Sequence, residues 1–306
     1  MSDKWSSYII EYERILDDYR DQPVTLLEIG VQNGGSLEIW SKFFVNASKF
    51  VGCDINPDCA KLNYEDPRIV VIVGDANSHE VQLKVLQHAP SFDVIIDDGS
   101  HCSSDIVKSF AAYFPHLSDG GIFVVEDLHC SYWEEFEGGL FDPYSSINFF
   151  KRLVDVINHE HWGVSKSRID ILRGFFLKYD CQVDENLLAQ IHSIEFINSI
   201  CVIKKESSLN NALGTRFILG LNKASDAELV NLHSSLSAAP SQVTNSWAVR
   251  VVAPDEDVMR LENELRLLNK SVTERDETIA AIYSSISWRV ATPLRFLQHH
   301  VKKSRT

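Results

Sequence analysis

Apolar positions along this chain follow two different periods. Between Thr25 and Val125, five short runs rich in Val, Ile and Leu stand apart from one another: Thr25–Ile29, Phe50–Cys53, Ile69–Val73, Val94–Ile96 and Ile122–Val125. Each is short, β-branched and followed by Gly or an acidic residue, which reads as a parallel strand buried on both faces. The intervals between most of them carry a helical period, so the pattern predicts βαβ units and a doubly wound, mainly parallel α/β sheet. Upstream, Tyr8, Ile9, Tyr12, Ile15 and Leu16 share one helical stripe within residues 4–20, a helix expected to cover one edge of the sheet. Downstream, Gly138–Pro143 opens an insertion, and Ile147, Phe150, Val154, Ile157 and His161 suggest a helix after it. Ser193–Glu206 reads as two short strands around Asn198–Ser199, a hairpin that closes the sheet.

The character of the sequence changes after Glu206. Residues 1–206 therefore form the α/β domain, and residues 207–255, rich in Ser, Asn and Ala, read as a linker or loose cap. Residues 256–306 form a helical tail. An apolar heptad places Val258, Leu265, Val272 and Ile279 at one position and Leu261, Leu268 and Ile282 at the other, with Arg275 interrupting the second series. That spacing predicts a coiled coil joining copies of the chain through residues 258–282, with packing against the α/β domain as the alternative.

Composition narrows the function classes. A formal net charge of −14 argues against a nucleic-acid partner held by overall positive charge. The six cysteines show no CxxC or zinc-finger spacing and are too sparse for a disulfide framework, so they read as reduced thiols of a cytoplasmic protein. The first residues, MSDKWSSYIIEYERILDDYR, are polar and helical in period rather than a secretion signal, and no apolar stretch approaches a membrane span. The expectation is a soluble protein, peripheral at the inner membrane at most.

The candidate chemistry lies at the strand ends, where open α/β sheets bind their ligands. Glu28-Ile-Gly30-Val-Gln-Asn-Gly34-Gly35-Ser36 joins a strand to a helix, and its glycines allow a tight turn and close approach of backbone to ligand. It is not the GxGxxG dinucleotide fingerprint, because the second glycine comes four residues after the first. Asp54, after the second strand, is placed to accept hydrogen bonds from a ribose, and Asp75, after the third, lies where an adenine ring would be flanked. Each acid alone could equally form a turn or cap a helix.

FDVIIDDGSH and GGIFVVEDLHCSYW end the fourth and fifth runs. On neighbouring parallel strands about 4.8 Å apart, Asp98 and the pair Glu126–Asp127 would emerge side by side. Three converging carboxylates repel one another unless a cation or protons intervene, and hard oxygen ligands favour Mg²⁺, Mn²⁺ or Ca²⁺. The bland alternative is that Asp97 and Asp98 shape the DDGS turn while Asp127 caps a helix. His101, three residues beyond Asp98, is a candidate general base. His129 is a weaker one; two histidines and a carboxylate would suit iron, but the carboxylate-rich cluster favours magnesium. Tyr132, Trp133, Phe136, Phe141 and Tyr144 could wall an acceptor or simply pack the insertion.

The series LLEIGVQNGGSLEIW, GCDINP, GDAN, IIDDGSH and GGIFVVEDLHCSYW resembles the magnesium-dependent class I S-adenosylmethionine methyltransferases that act on sugar hydroxyls. Within that group it is nearest the mycinamicin-type macrolide sugar O-methyltransferases, and more distantly similar to the cephalosporin hydroxylase-like proteins. The resemblance covers roughly residues 5–205. It implies a Rossmann-like fold, S-adenosylmethionine and Mg²⁺ (or Mn²⁺) as cofactors, and a sugar or glycan acceptor. It also implies Asp98, Glu126 and Asp127 as metal ligands and His101 as base. The cofactor would lie around Gly30, Asp54 and Asp75, with Glu28, Gly34, Ser36, Ala76 and Asp97 alongside. The tail has no counterpart in that family. Residues 286–306 hold Arg289, Arg295, Lys302, Lys303 and Arg305 and no acid, and their SWR and PLR segments resemble the ends of bacterial polysaccharide-assembly proteins. This points to docking on a membrane surface or a glycan-assembly partner, and to a surface polysaccharide (O-antigen or capsule) or its precursor as acceptor. The alternatives are a secondary-metabolite sugar, a metal-dependent hydroxylase or a non-catalytic scaffold.

Overall fold

The computed structural model describes residues 2–214, 219, 239–251 and 253–285. The basic segment 286–306 lies outside the described residues, as does most of 207–238. The chain divides into two units, residues 1–251 and 252–306.

The first unit is built on one seven-stranded sheet. The strands are β1 (Thr25–Ile29), β2 (Lys49–Asp54), β3 (Ile69–Val73), β4 (Phe92–Asp97), β5 (Leu117–Val125), β6 (Ile191–Ile197) and β7 (Ile200–Lys205). Their order is β3-β2-β1-β4-β5-β7-β6, with β1 to β5 parallel and β7 antiparallel to both β5 and β6. All five parallel runs and the closing hairpin stand where the apolar pattern puts them. The strand order reverses between β1 and β4, and the crevice at that reversal is where a doubly wound sheet takes a ligand.

Alternate residues of each strand feed two cores. On one face Leu26, Phe50, Val94, Ile96 and Val124 meet Tyr8, Tyr12 and Leu16 of α1 (Ser6–Leu16) and Leu37 and Trp40 of α2 (Gly35–Phe43). On the other, Leu27, Val51, Ile95 and Phe123 meet α3 (His79–His88), α4 (Ser103–Tyr113), α5 (Ser146–Ile157) and α6 (Arg168–Tyr179). Burying a Leu, Val or Phe side chain in such a layer contributes about 1.5–3 kcal/mol.

Two helical expectations need correction. In α1 the buried stripe is Tyr8, Tyr12 and Leu16, while Ile9 is 66% exposed. The stripe repeats at four residues and leaves position 9 a quarter turn aside. In α5 the buried apolar residues are Phe149, Phe150, Leu153 and Val156; of the expected stripe Phe150 is buried and Ile147 and Ile157 pack partly buried against the core, but Val154 is exposed. The helix α6 was not read from the sequence, because RIDILRGFFLKY is apolar on several faces; Leu177 is 78% exposed.

A short α7 (Glu185–Leu188) leads into β6. The stretch read as a loose linker is partly tied down: Asn211 Nδ2 donates to the carbonyls of Ala189 and Ile191, and the amide of Gln242 donates to the carbonyl of Gly163. In the second unit the described element is one 31-residue helix, α8 (Pro254–Ser284). Among the described residues, no helix is long and apolar enough to cross a membrane.

Candidate active site

The parallel ladder runs one step past the strand ends and fixes the site. The amide of Gly30 donates to the carbonyl of Cys53, that of Asp98 to Ile29, and that of Glu126 to Asp97, at 2.8, 2.8 and 2.9 Å. Because Asp97 pairs with Val125 in register, Asp98 and Glu126 emerge side by side. Gly30 sits at φ +91°, and a Cβ there would lie 2.0 Å from the carbonyl oxygen of Asp98, so the loop after β1 approaches the β4 end as only glycine allows.

A cavity of about 530 Å³ opens over these ends. Gly30, Asp54, Asp75, Ala76, Asp97, Asp98, His101, Glu126 and Asp127, all singled out from the sequence, line it. Glu28, Gly34 and Ser36 do not. Glu28 is fully buried and accepts from Ser36 Oγ at 2.7 Å and Trp40 Nε1 at 3.2 Å, which pins α2 to β1. Burial pushes its carboxyl up to about 7. Gly34 starts α2 at φ +75° and faces Tyr64, whose hydroxyl donates to its carbonyl. These three support the glycine turn from behind rather than facing the cavity.

Asp54 holds the loop above it. Its Oδ2 accepts from the amides of Val31 (2.8 Å) and Gln32 (2.7 Å), and its Oδ1 from Asn56 (2.8 Å). Asp75 accepts from the amide of Asn77, and the carbonyl of Ala76 accepts from Tyr113. Asp97 lies under the cavity floor, bonded to Ser109 and to the amide of Gly99, and burial raises its carboxyl to about 7. Asn77, not singled out from the sequence, also lines the cavity. Its Oδ1 is buried with no hydrogen-bond partner, while its Nδ2 donates to the carbonyl of Asp105. A buried acceptor left open in this way fits a ligand that brings a donor.

The three carboxylates do not form one equal set: Asp98 and Glu126 share Lys4, whereas Asp98 and Asp127 come together with His101. Lys4 Nζ donates to Asp98 Oδ2 at 2.5 Å and to Glu126 Oε1 at 2.6 Å. Tyr12 donates to the same Glu126 oxygen at 2.6 Å. Asp127 has a left-handed backbone (φ +50°) and turns aside: its Oδ1 accepts from Tyr8 at 2.7 Å and from Trp5 Nε1 at 3.2 Å. Burial works to lower the Lys4 ammonium's pKa, but Glu126 and Asp98 beside it outweigh that and hold it above its ordinary value. The acids move the wrong way for a balanced ion pair. Burial, together with the charge of Asp98, raises Glu126 to about 7, and burial raises Asp98 as well. One ammonium does not compensate so many buried carboxylates.

His101 joins this cluster from its own left-handed turn (φ +60°), with Nε2 3.7 Å from Asp127 Oδ2. Asp98, His101 and Asp127 each offer one ligand atom within 4.8 Å of one another, a set that does not include Glu126, which Lys4 and Tyr12 hold. His129 bonds through Nδ1 to Ser199 Oγ, lies 3.9 Å from Asp127 Oδ1 on the side away from His101's contact with Oδ2, and is edge-on to Trp133. Of the aromatic candidates, Tyr144 packs against Phe175 in the core, whereas Trp133 (47%) and Phe141 (87%) are exposed. Lys4, Trp5, Tyr8 and Tyr12 were missed as site residues. The tyrosines read correctly as core positions, but nothing local to residues 4–12 shows that the polar tips of this segment reach acids 94 to 122 positions away.

Comparison with known proteins places this geometry in a class. Residues 27–128 match the family model described as a methyltransferase domain. The chain is 39% identical over 172 residues to the 8-demethyl-8-α-L-rhamnosyl tetracenomycin-C 2'-O-methyltransferase of Streptomyces olivaceus, a match covering 53% of this chain and 44% of that protein. It is 39% identical over 160 residues to the mycinamicin VI 2''-O-methyltransferase of Micromonospora griseorubida, covering 49% and 39%. Among solved structures it is similar to the MycE methyltransferase from the mycinamycin biosynthetic pathway in complex with Mg, SAH and mycinamycin VI. That match has a TM-score of 0.54 at 30% identity and covers 66% of this chain and 49% of that one. The first unit therefore has the Rossmann-like α/β methyltransferase fold with a mixed seven-stranded sheet. The chain spans less than half the length of these curated relatives.

Proposed function

We propose that this chain transfers a methyl group from S-adenosylmethionine to a hydroxyl of a sugar carried by a secondary metabolite, with a divalent metal at Asp98, Glu126 and Asp127. The observation that carries the reading is the acidic cluster itself: adjacent carboxylates on neighbouring strand ends, already drawing a cation, in a cavity at the sheet's switch point. The oxygen donor set suits Mg²⁺ or Mn²⁺, and the Lys4 ammonium stands where a cation is needed. The unpartnered Asn77 Oδ1 and the glycine-lined approach at Gly30 suit a nucleoside on the other side of the cavity.

S-adenosylmethionine would supply an electrophilic methyl group, and the metal would supply Lewis acidity that eases deprotonation of the acceptor hydroxyl. The chain's own residues do the rest. His101 takes the hydroxyl proton, with Asp127, 3.7 Å from Nε2, stabilising the positive charge the ring gains. Asp54 holds the β1 loop through the amides of Val31 and Gln32 on Oδ2, and Oδ1, which takes only the amide of Asn56, keeps one lone pair for a ribose hydroxyl. Phe136, whose ring lies 6.3 Å from that of His101, and Trp133 beside it offer apolar surface to a sugar face.

The names of the relatives support a secondary-metabolite sugar rather than the surface polysaccharide expected from the tail. A screen of rhamnosylated and other glycosylated metabolites beside nucleotide sugars and polysaccharide fragments, read as labelled methyl transfer, separates the two. The helix α8 is the second part of the proposal. Its heptad residues Val258, Leu261, Leu265, Leu268, Val272, Ile279 and Ile282 are all about half exposed or more, as a seam awaiting another copy would be.

A further inference from the structure

Lys4 is not a surface residue that happens to reach an acid. Its side chain is only 13% exposed, and its ammonium bridges Asp98 and Glu126, side chains that are 21% and 1% exposed. A divalent cation held by these carboxylates and the ammonium would occupy the same charge-balancing position, and a compact ammonium is a point charge on a flexible stem. The two cannot be present together without strong repulsion at short range. We propose that Lys4 is a tethered counter-cation that exchanges with the divalent metal, so that metal binding releases the strap of residues 2–5 from the mouth of the cavity.

The geometry says which part moves. Asp3, Lys4, Trp5 and Tyr8 line the cavity, so the strap occupies space an acceptor must cross. Asp127 accepts from Tyr8 and Trp5 through Oδ1, leaving Oδ2 facing His101. The second oxygen can ligate a metal while Tyr8 keeps its bond. Tyr8 and Tyr12 are buried in the core through their rings, so α1 stays in place. The swinging segment is then confined to the residues before the helix. Lys4 is the contact that must break, and Trp5, whose indole lies against His129 with ring centroids 6.2 Å apart, reports the movement.

This inference rests on the metal reading of Asp98, Glu126 and Asp127. The test uses the full chain, wild type and Lys4→Met, titrated with MgCl2 by calorimetry and with MnCl2 by spin resonance, and hydrogen exchange over residues 2–16 with and without metal. If Lys4 competes, Lys4→Met binds either metal about tenfold tighter or more, because the binding-competent state no longer has to be freed first. In the wild type, metal increases exchange at residues 3–5 and leaves Tyr8–Leu16 protected; in Lys4→Met metal makes no difference there. Equal metal affinity in the two proteins, or tighter binding by the wild type, overturns the exchange while leaving the metal site standing. Absence of metal binding in both overturns the metal site and the exchange with it. Lys4→Gln, measured in parallel, guards against a defect peculiar to the methionine.

Discussion

Lys4 Nζ lies 2.6 Å from Oε1 of Glu126, a residue 122 positions further along the chain and almost fully buried. Around that contact the electrostatics of the whole site can be read. Glu126 stays raised to about 7 even with an ammonium on one side and Tyr12 on the other, because burial and the neighbouring Asp98 charge outweigh them. A cluster in that condition favours a cation of higher charge.

His101 should separate chemistry from binding. His101→Asn keeps a residue that tolerates the left-handed backbone at φ +60°, yet it cannot serve as a general base. We expect kcat for methyl transfer to fall by roughly 10²–10⁴-fold with S-adenosylmethionine affinity nearly unchanged in a calorimetric titration. Loss of cofactor affinity instead would make His101 a wall of the cofactor pocket.

Asp54→Ala should do the reverse. It removes an acceptor shared by the amides of Val31, Gln32 and Asn56, so the loop above the cofactor loosens. Hydrogen bonds to a charged group contribute about 1.5–3 kcal/mol, which predicts cofactor affinity lower by about tenfold or more. A lowered Tm with unchanged cofactor affinity would confine Asp54 to holding the loop.

The parallel sheet, its five strand positions and the carboxylate cluster were legible because they depend on short-range pattern: β-branched runs ended by Gly and acids. Asp98 and Glu126 stand together because parallel register requires it, and register follows from strand order. Glu28, Gly34 and Ser36 misled because a glycine turn has two sides. The sequence marks the turn, whereas only packing against Trp40 and Tyr64 shows which residues face away from the cavity. Lys4 and Asn77 were illegible for a different reason. Their roles come from long-range closure of α1 over β5 and from an acceptor left without a partner, and neither leaves a local signature.

Glu28 gives a pH test just behind the acidic cluster: burial is the largest influence on its carboxyl, while Lys4 of the cluster acts to lower its pKa and Asp98 acts to raise it. Its carboxyl rises from about 4.5 to about 7 on burial, so the folded protein binds this proton more tightly than the unfolded chain. Its contribution to stability is therefore greatest below pH 4.5 and is lost as pH rises to about 7, a change on the order of 3 kcal/mol. In urea denaturation at pH 5 and pH 8, Glu28→Gln should gain on the wild type as pH rises. A gap that is constant with pH, or that widens against the variant, would mean Glu28 folds ionised without cost.

The heptads of α8 predict that the full chain is an oligomer and that a chain ending at residue 251 is not. Light scattering of the two should give a multiple of the chain mass for the first and a single mass for the second, with methyl transfer to a small acceptor retained. Equal association states would take self-assembly away from residues 258–282.

The most direct measurement is transfer of labelled methyl from S-adenosylmethionine to a rhamnosylated tetracenomycin-type acceptor, assayed with EDTA and then with excess Mg²⁺ or Mn²⁺ restored. The account predicts transfer to a sugar hydroxyl that is abolished by chelation, recovered with metal, and lost in Asp98→Asn under both conditions. Full transfer in EDTA, or metal-restored transfer by Asp98→Asn equal to the wild type, would contradict it.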